Sequence, residues 1–216
     1  MDSSLNSRRR TKVPRQTNVG RSPGRTRILD CALAAFCENG YQATKVKEIA
    51  ERAGVTVPGI YHHFTSKYQI LMILIRRVMD DLIEETSNAM DKAGTDPVDR
   101  FAAAVETHVR FHAERQQESF VGNTELRSLE RDDLTEIVRL RDAQQETFER
   151  LVAEGVAAGR FHVDSVKDAS RAVVTMCTSV ATWYRTGGAL TSDQVAAQYR
   201  VYALGALHAD SPGGAR

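Results

Sequence analysis

The chain has no apolar run approaching the roughly 20 residues of a membrane-crossing helix, so no membrane span is expected. Its first residues lack the apolar segment of a secretory signal, and they lack the amphipathic apolar face of a transit peptide. Cysteine is scarce. Cys31, Cys37 and Cys177 are odd in number and form no Cys-x-x-Cys pair, which points to reduced thiols in a cytosolic protein and against a disulfide framework. There is no Gly-rich phosphate loop, no nucleophile elbow and no His-Glu-x-x-His, so the common signatures of enzymes are missing and no cofactor is implied. No stretch alternates polar and apolar residues with the period of a strand, which argues against a sheet.

What the chain does have is ample apolar content, 42% of its 216 residues, and an uneven spread of charge. The net charge of +1 hides a division. Residues 1–27 carry Arg8, Arg9, Arg10, Lys12, Arg15, Arg21, Arg25 and Arg27 against the single acid Asp2, and the remainder is mildly acidic. A basic arm on an acidic body suits a polyanion bound at one end, or else a solvated tail. Residues 1–24 are polar, with Pro14, Gly20, Pro23 and Gly24, and cannot bury enough surface to order themselves alone.

From Thr26 the apolar residues recur with helical period, and the chain reads as all-α with about nine helices and no internal repeat. Ile28, Leu29, Ala32, Leu33 and Phe36 mark the first helix, closed at Asn39-Gly40. Thr44 is the expected N-cap of a second helix that ends at Gly54. Thr56 caps a third, with Pro58 in its first turn, and Ser66 opens a long helix that runs from Lys67 to about Lys92. Further helices are expected at about 97–116, 119–130, 133–158, 165–186 and 192–208. The domain plan is an arm at 1–24, a helix-turn-helix unit at 25–70, a body at 71–210 and a short tail at 211–216.

The second and third helices, joined through Gly54 and Val55, have the layout of a helix-turn-helix whose second helix enters a major groove. Val57, Pro58 and Gly59 are small, leaving little between backbone and base edges, while Thr56 and Tyr61 can donate to phosphates or bases. His62 and His63 are consecutive, point about 100° apart and cannot chelate one metal. Lys67 stands beside the motif, placed for a phosphate.

On these residues the span from Arg25 to about Leu74, with RTRILDCALAAFCENGYQATKVKEIAERAGVTVPGIYHHFTSK at its head, resembles the DNA-binding domain of the TetR family of repressors. The resemblance implies DNA contacts at Thr44, Lys45, Lys47, Thr56, Val57, Pro58, Gly59, Tyr61, His62, His63 and Lys67. Lys45 departs from the Thr the family often has there, which allows one more phosphate or base contact. The Arg-rich arm before such a motif either reaches the adjacent minor groove, adding affinity with little base specificity, or stays in solvent.

In the body, Phe101, Val105, His108, Phe120, Met176, Val180 and Trp183 are apolar or aromatic, and Asn123, Arg127, Arg141 and Gln144 are polar groups near the same faces. The family resemblance, rather than any periodicity, implies an effector cavity among them. A second resemblance, carried by TELRSL at 124–129, EGVAAGRF at 154–161 and ATWYRTGGALTSDQVAAQY at 181–199, is to a TetR subgroup that governs lipid catabolism, some members releasing DNA on binding an acyl-coenzyme A thioester. Arg127, Arg141 and Arg185 then either meet ligand phosphates or pair with acids on neighbouring helices. His108 and His112 share a helix face but have no evident third partner, so no metal is expected.

The final helix is apolar on two faces, Val195, Tyr199, Tyr202 and Ala206 on one and Ala196, Ala203 and Leu207 on the other, as expected of a helix buried on both sides. The resemblance implies a homodimer built from the last two helices, with Tyr184 beside them. The function expected is that of a ligand-responsive repressor on a palindromic double-stranded operator, in the bacterial cytoplasm at the nucleoid. A non-specific architectural DNA-binding protein is the competing reading.

Overall fold

The computed structural model describes residues 23–209, and among them every regular element is helical. The helices are α1 Pro23–Asn39, α2 Val46–Ala53, α3 Val57–His63, α4 Lys67–Lys92, α5 Pro97–Glu114, α6 Gln116–Thr124, α7 Arg131–Ala157, α8 Val166–Thr178, α9 Val180–Trp183 and α10 Ser192–Ala206. A 3-10 turn at Leu126–Ser128 joins α6 to α7. The basic arm up to residue 22 and the tail from residue 210 lie outside the described residues.

Local capping sets most boundaries where the sequence places them. Gly40 and Gly54 adopt φ of +77° and +66°, the left-handed turn that ends α1 and α2 without a Cβ penalty. Thr56 Oγ1 accepts the Gly59 N–H at 3.2 Å at the start of α3, and Ser66 Oγ accepts that of Gln69 at 3.0 Å at the start of α4. Thr44 does not cap α2. Lys45 holds that position without a side-chain bond, and the Thr44 hydroxyl turns inward, 2.8 Å from Gly40 O and 3.1 Å from Ala35 O.

Two further expectations are corrected. The helix read at 119–130 is α6 followed by the 3-10 turn, and the helix read at 165–186 breaks at Ser179 into α8 and the single turn α9. Ser179 Oγ donates to Met176 O at 2.6 Å, and Thr182 Oγ1 donates to Ser179 O at 2.7 Å. Hydroxyls that compete for the helix carbonyls loosen the ladder at that point.

One apolar cluster joins α1–α3 to the first half of α4, with Ile28, Phe36, Ile49, Ile60, Phe64 and Leu71 at its centre. The same cluster takes in Val121 of α6 and Ile137 of α7, so the N-terminal unit is packed on the body as well as linked to it. A second cluster fills the body, where Phe101 stands edge-on to Phe148 and Phe161 at 6.4 and 5.4 Å between ring centres. The helix α10 lies along α5, and α4 runs from one cluster to the other.

Candidate nucleic-acid interface and effector cavity

The outer face of α2 and α3 is built by what the inner face buries. Ile49, Ala50, Ala53 and Ile60 point into the first cluster, which turns Lys45, Lys47, Pro58, Tyr61 and His62 to solvent with Thr56 at the α3 cap. Val57, Gly59 and His63 are half-buried on the flank of the same surface. The first turn of α1 stands beside α3: a Cβ at Gly24 would be 3.6 Å from His63 Nε2, and the Arg25 guanidinium lies 5.1 Å above the Phe64 ring.

The other two residues expected at DNA, Thr44 and Lys67, are turned the other way. Thr44 is buried. The Lys67 ammonium donates to Tyr41 O and Thr44 O, both at 2.7 Å, reaches Gln42 O at 3.4 Å and lies 4.3 Å above the Tyr41 ring. It therefore clamps the α1–α2 turn, and its burial lowers its pKa from the usual lysine value.

That turn is also gripped from the body, by a residue the sequence reading did not single out. Buried Glu125, just past α6, accepts the Tyr41 N–H at 3.1 Å and the Ser128 hydroxyl at 2.8 Å. Tyr68, at the head of α4, donates to Asp133 at 2.6 Å and accepts the Glu130 N–H at 2.9 Å. Burial, then the Asp133 carboxylate, push its phenol up to about 12, so it remains a donor at neutral pH. An Arg76–Glu136 ion pair adds a further tie between α4 and α7.

Inside the body lies a cavity of about 80 Å³. Ile75, Val78, Met79 and Leu82 of α4 form one wall, with Val174 and Thr178 of α8 opposite. Its polar side is made by His108 and His112 of α5, Ser119, Gly122 and Asn123 of α6, and Arg141 and Gln144 of α7. The two imidazoles stack with centres 4.4 Å apart. His108 Nε2 lies 3.0 Å from Thr178 Oγ1, and His112 Nδ1 donates to His108 O at 2.8 Å. Gln144 donates to Thr86 Oγ1 at 3.1 Å. Burial pushes His108 well below its usual value and His112 down to about 4, so both are neutral at physiological pH.

Of the residues expected at an effector, the cavity brings together His108, Asn123, Arg141 and Gln144. Phe101, Val105 and Val180 are instead fully buried in the second cluster, and Met176 packs against it. Phe120 and Trp183, 37% and 45% exposed, lie on the surface, as do Arg127 and Arg185. Arg110 pairs with Asp193 at 2.7 Å. The cavity residues that the reading missed, chiefly Ser119 and the α4 wall, carry only a generic signal: an inward helical face with one small hydroxyl in it.

Among the expected dimer residues, Tyr184 and Val195 are buried in the chain's own core, Tyr199 is half-buried against the second cluster, and Tyr202 and Ala206 face outward. Val195 falls on the same inward row as Ala196, Ala203 and Leu207. The outward row adds Val201, 66% exposed, to Tyr202 at 56%, and Trp183 stacks on Tyr199 at 6.2 Å.

Residues 28–72 match the family of bacterial regulatory proteins of the tetR type, and residues 94–207 match the tetracyclin repressor-like C-terminal domain. The chain belongs to the tetR family. Members are transcriptional regulators rather than enzymes, and this chain is a helix-turn-helix DNA-binding regulator of the repressor kind. The HTH-type transcriptional repressor KstR2 of Rhodococcus jostii is 30% identical over 199 residues, 91% of this chain and 97% of that protein. A fatty acid metabolism regulator of Bacillus subtilis is 26% identical over 137 residues, 63% of this chain and 70% of its own length. The solved structure of the ketosteroid transcriptional regulator KstR2 of Mycobacterium tuberculosis superposes with a TM-score of 0.82 at 26% identity, covering 91% of this chain and all of that one. No helix among the described residues is long and apolar enough to cross a membrane.

Proposed function

We propose that this regulator binds a palindromic operator as a homodimer and is released by a lipid-derived effector, an acyl-coenzyme A thioester in particular, that enters the α4–α8 cavity. The observation that carries the reading is the double duty of α4. Its first turns pack beneath the helix-turn-helix, and two turns further on Ile75, Val78, Met79 and Leu82 wall the cavity. Ligand pockets are commonly about 300–1,000 Å³, and this one holds about 80 Å³. A lipid therefore enters only if a wall gives way, and a shift of the α4 wall carries the DNA-binding unit with it. Such an effector has different affinities for the two arrangements, which is the condition for shifting them.

On the DNA side the contacts proposed are Lys45, Lys47, Thr56, Val57, Pro58, Gly59, Tyr61, His62 and His63, with Thr44 and Lys67 acting by holding the turn beneath them. Gly24 and Arg25, the first described residues of α1 after Pro23, lie beside α3, which suits a role for the preceding arginines in the neighbouring minor groove. The lipid class is supported by what the relatives regulate, ketosteroid and fatty acid metabolism by their names.

The test selects an operator from random DNA and then titrates the complex with fatty acids, steroid acids and their coenzyme A thioesters. A selected palindrome released by a thioester supports the reading. A palindrome released by none of them removes the lipid effector. Binding without preference among sequences removes the repressor and leaves an architectural protein, since a repressor prefers its site by roughly a thousandfold or more.

A further inference from the structure

The polar side of the cavity holds a charge that no acid among the described residues answers. The Arg141 guanidinium donates to Asn123 Oδ1 at 2.7 Å and reaches Gly122 O at 3.4 Å, both neutral acceptors. Among the described residues no carboxylate lies within 4.0 Å of it, whereas Arg76, Arg100, Arg110, Arg115 and Arg160 of the body each have an acidic partner. No Asp or Glu lines the cavity. A guanidinium presents five N–H donors in a planar fork matched to carboxylate or phosphate oxygens, and two acceptors leave part of that fork unused.

An independent observation lies across the same cavity. Ser119, 2% exposed, has a hydroxyl with no hydrogen-bond partner, the one such buried side-chain atom among the described residues. Buried polar groups left unpaired are costly and uncommon, and a functional group awaiting a ligand is one of the few explanations for keeping one. His108, His112 and Gln144 each have a partner already: Thr178, a backbone carbonyl and Thr86. Burial holds the imidazoles neutral, so they neither compete for an anion nor add a second positive charge.

We propose that the cavity recognises its ligand through one anionic oxygen group seated between Arg141, Asn123 and Ser119, with an apolar remainder against the α4 wall. The anion neutralises the guanidinium, an oxygen takes the Ser119 hydroxyl, and the Asn123 amide N–H₂ donates once its carbonyl has oriented Arg141. Ile75, Val78, Met79 and Leu82 leave the rest of the ligand no polar partner on that side. The shared chemistry has two sources: the free carboxylate of an apolar acid, or a phosphate of a coenzyme A thioester. The inference rests on the cavity being the effector site.

The experiment measures binding by calorimetry, with operator release measured in parallel, for butyrate, octanoate and dodecanoate, the alcohols of equal chain length, and the coenzyme A thioester of each acid. The expected result is that acids or thioesters bind the full chain while the alcohols bind at least tenfold more weakly. Arg141→Gln should cost the anions roughly ten- to a hundredfold and Ser119→Ala about two- to tenfold, with the alcohols unmoved in both. Acid binding that survives Arg141→Gln locates the anion at the free carboxylate elsewhere and overturns the proposal, as does loss of the anion preference in neither variant. If Arg141→Gln does not fold, Ser119→Ala alone decides between the two outcomes. Preference for acids over thioesters names the carboxylate as the source, and the reverse names the phosphate. Alcohols that bind as well as acids and still release DNA overturn this inference while the effector reading stands. No binding by any member of the series overturns this inference, and silence of the steroid acids and their thioesters as well removes the effector reading too.

Discussion

Gly155 shows how much a single hydrogen can matter in this chain. A Cβ built there would stand 2.0 Å from Cδ2 of Phe161, a fully buried ring that packs on Phe101 in the second cluster. Gly155→Ala must therefore push the Phe161 ring or bend α7, and overpacking of this sort costs about 1–3 kcal/mol or more. Urea denaturation should show a lower midpoint with the slope retained. An unchanged midpoint would mean that the ring moves aside at no cost. The stacked pair His108 and His112 makes a second residue-scale prediction. In the folded chain burial holds His112 to about 4 and His108 well below its usual value of 6.5. Above that value neither the folded nor the unfolded chain takes up a proton at these sites, so they add no pH dependence. As pH falls from 6.5 toward 4 the unfolded chain binds protons that the folded chain refuses, and stability declines by up to about 1.4 kcal/mol per pH unit for each imidazole. Denaturation midpoints followed from neutral pH down to about pH 5 should fall, and His112→Gln should reduce the steepness by about one proton. Equal steepness in the variant would place the titration elsewhere.

At the scale of elements, what was legible in the sequence was what is settled locally. Gly40 and Gly54 end helices because only they turn left-handed cheaply, and Thr56 and Ser66 begin them because their side-chain oxygens meet the first free N–H groups. Such signals need no knowledge of the rest of the chain. The break at Ser179 was missed because no Gly or Pro marks it. Its cause is a run of hydroxyls bonding helix carbonyls, together with the Gln116 amide reaching across from α6 to Ala181 O at 3.0 Å. Periodicity showed which faces of α5, α6 and α7 point inward but not what they meet, so Phe101 and Val105 were read at a ligand site and lie in solid core. The same limit hid the posture of Thr44 and Lys67, whose types suit DNA and whose placement clamps the α1–α2 turn. This difference is measurable. Removing a phosphate contact reduces the salt slope of operator affinity by about 0.9 per charge, so Lys47→Ala should flatten it by that amount. Lys67→Met should leave the slope in place and cost about 1–3 kcal/mol of stability by orphaning buried carbonyls. A flattened slope with full stability in Lys67→Met would return that lysine to the DNA.

For the whole molecule the question is how one helix-turn-helix reads enough sequence. A single recognition helix contacts few bases, and affinity for a palindrome comes from two such helices held about one helical turn apart, roughly 34–36 Å. In the proposed homodimer a second copy covers some face of this chain. The outward row of α10 offers Val201 and Tyr202, with Tyr199 and Trp183 stacked beside it, and large exposed aromatics side by side are uncommon on a surface that stays in water. This row lies at the far end of the body, along α5, whereas α4 reaches from the body to the DNA-binding unit. In the proposed homodimer, any change in how two bodies meet, or in the cavity between α4 and α8, would therefore be felt at both recognition helices together. Tyr202→Asp places a charge in the middle of the row without touching either buried cluster. Sedimentation should then report a monomer, and circular dichroism should report unchanged helicity. Affinity for the full palindrome should fall toward that for a half-site, a loss on the order of a hundredfold or more given the effective concentration that a dimer confers. A dimer that persists with its operator affinity intact would show that this face is not where two copies meet.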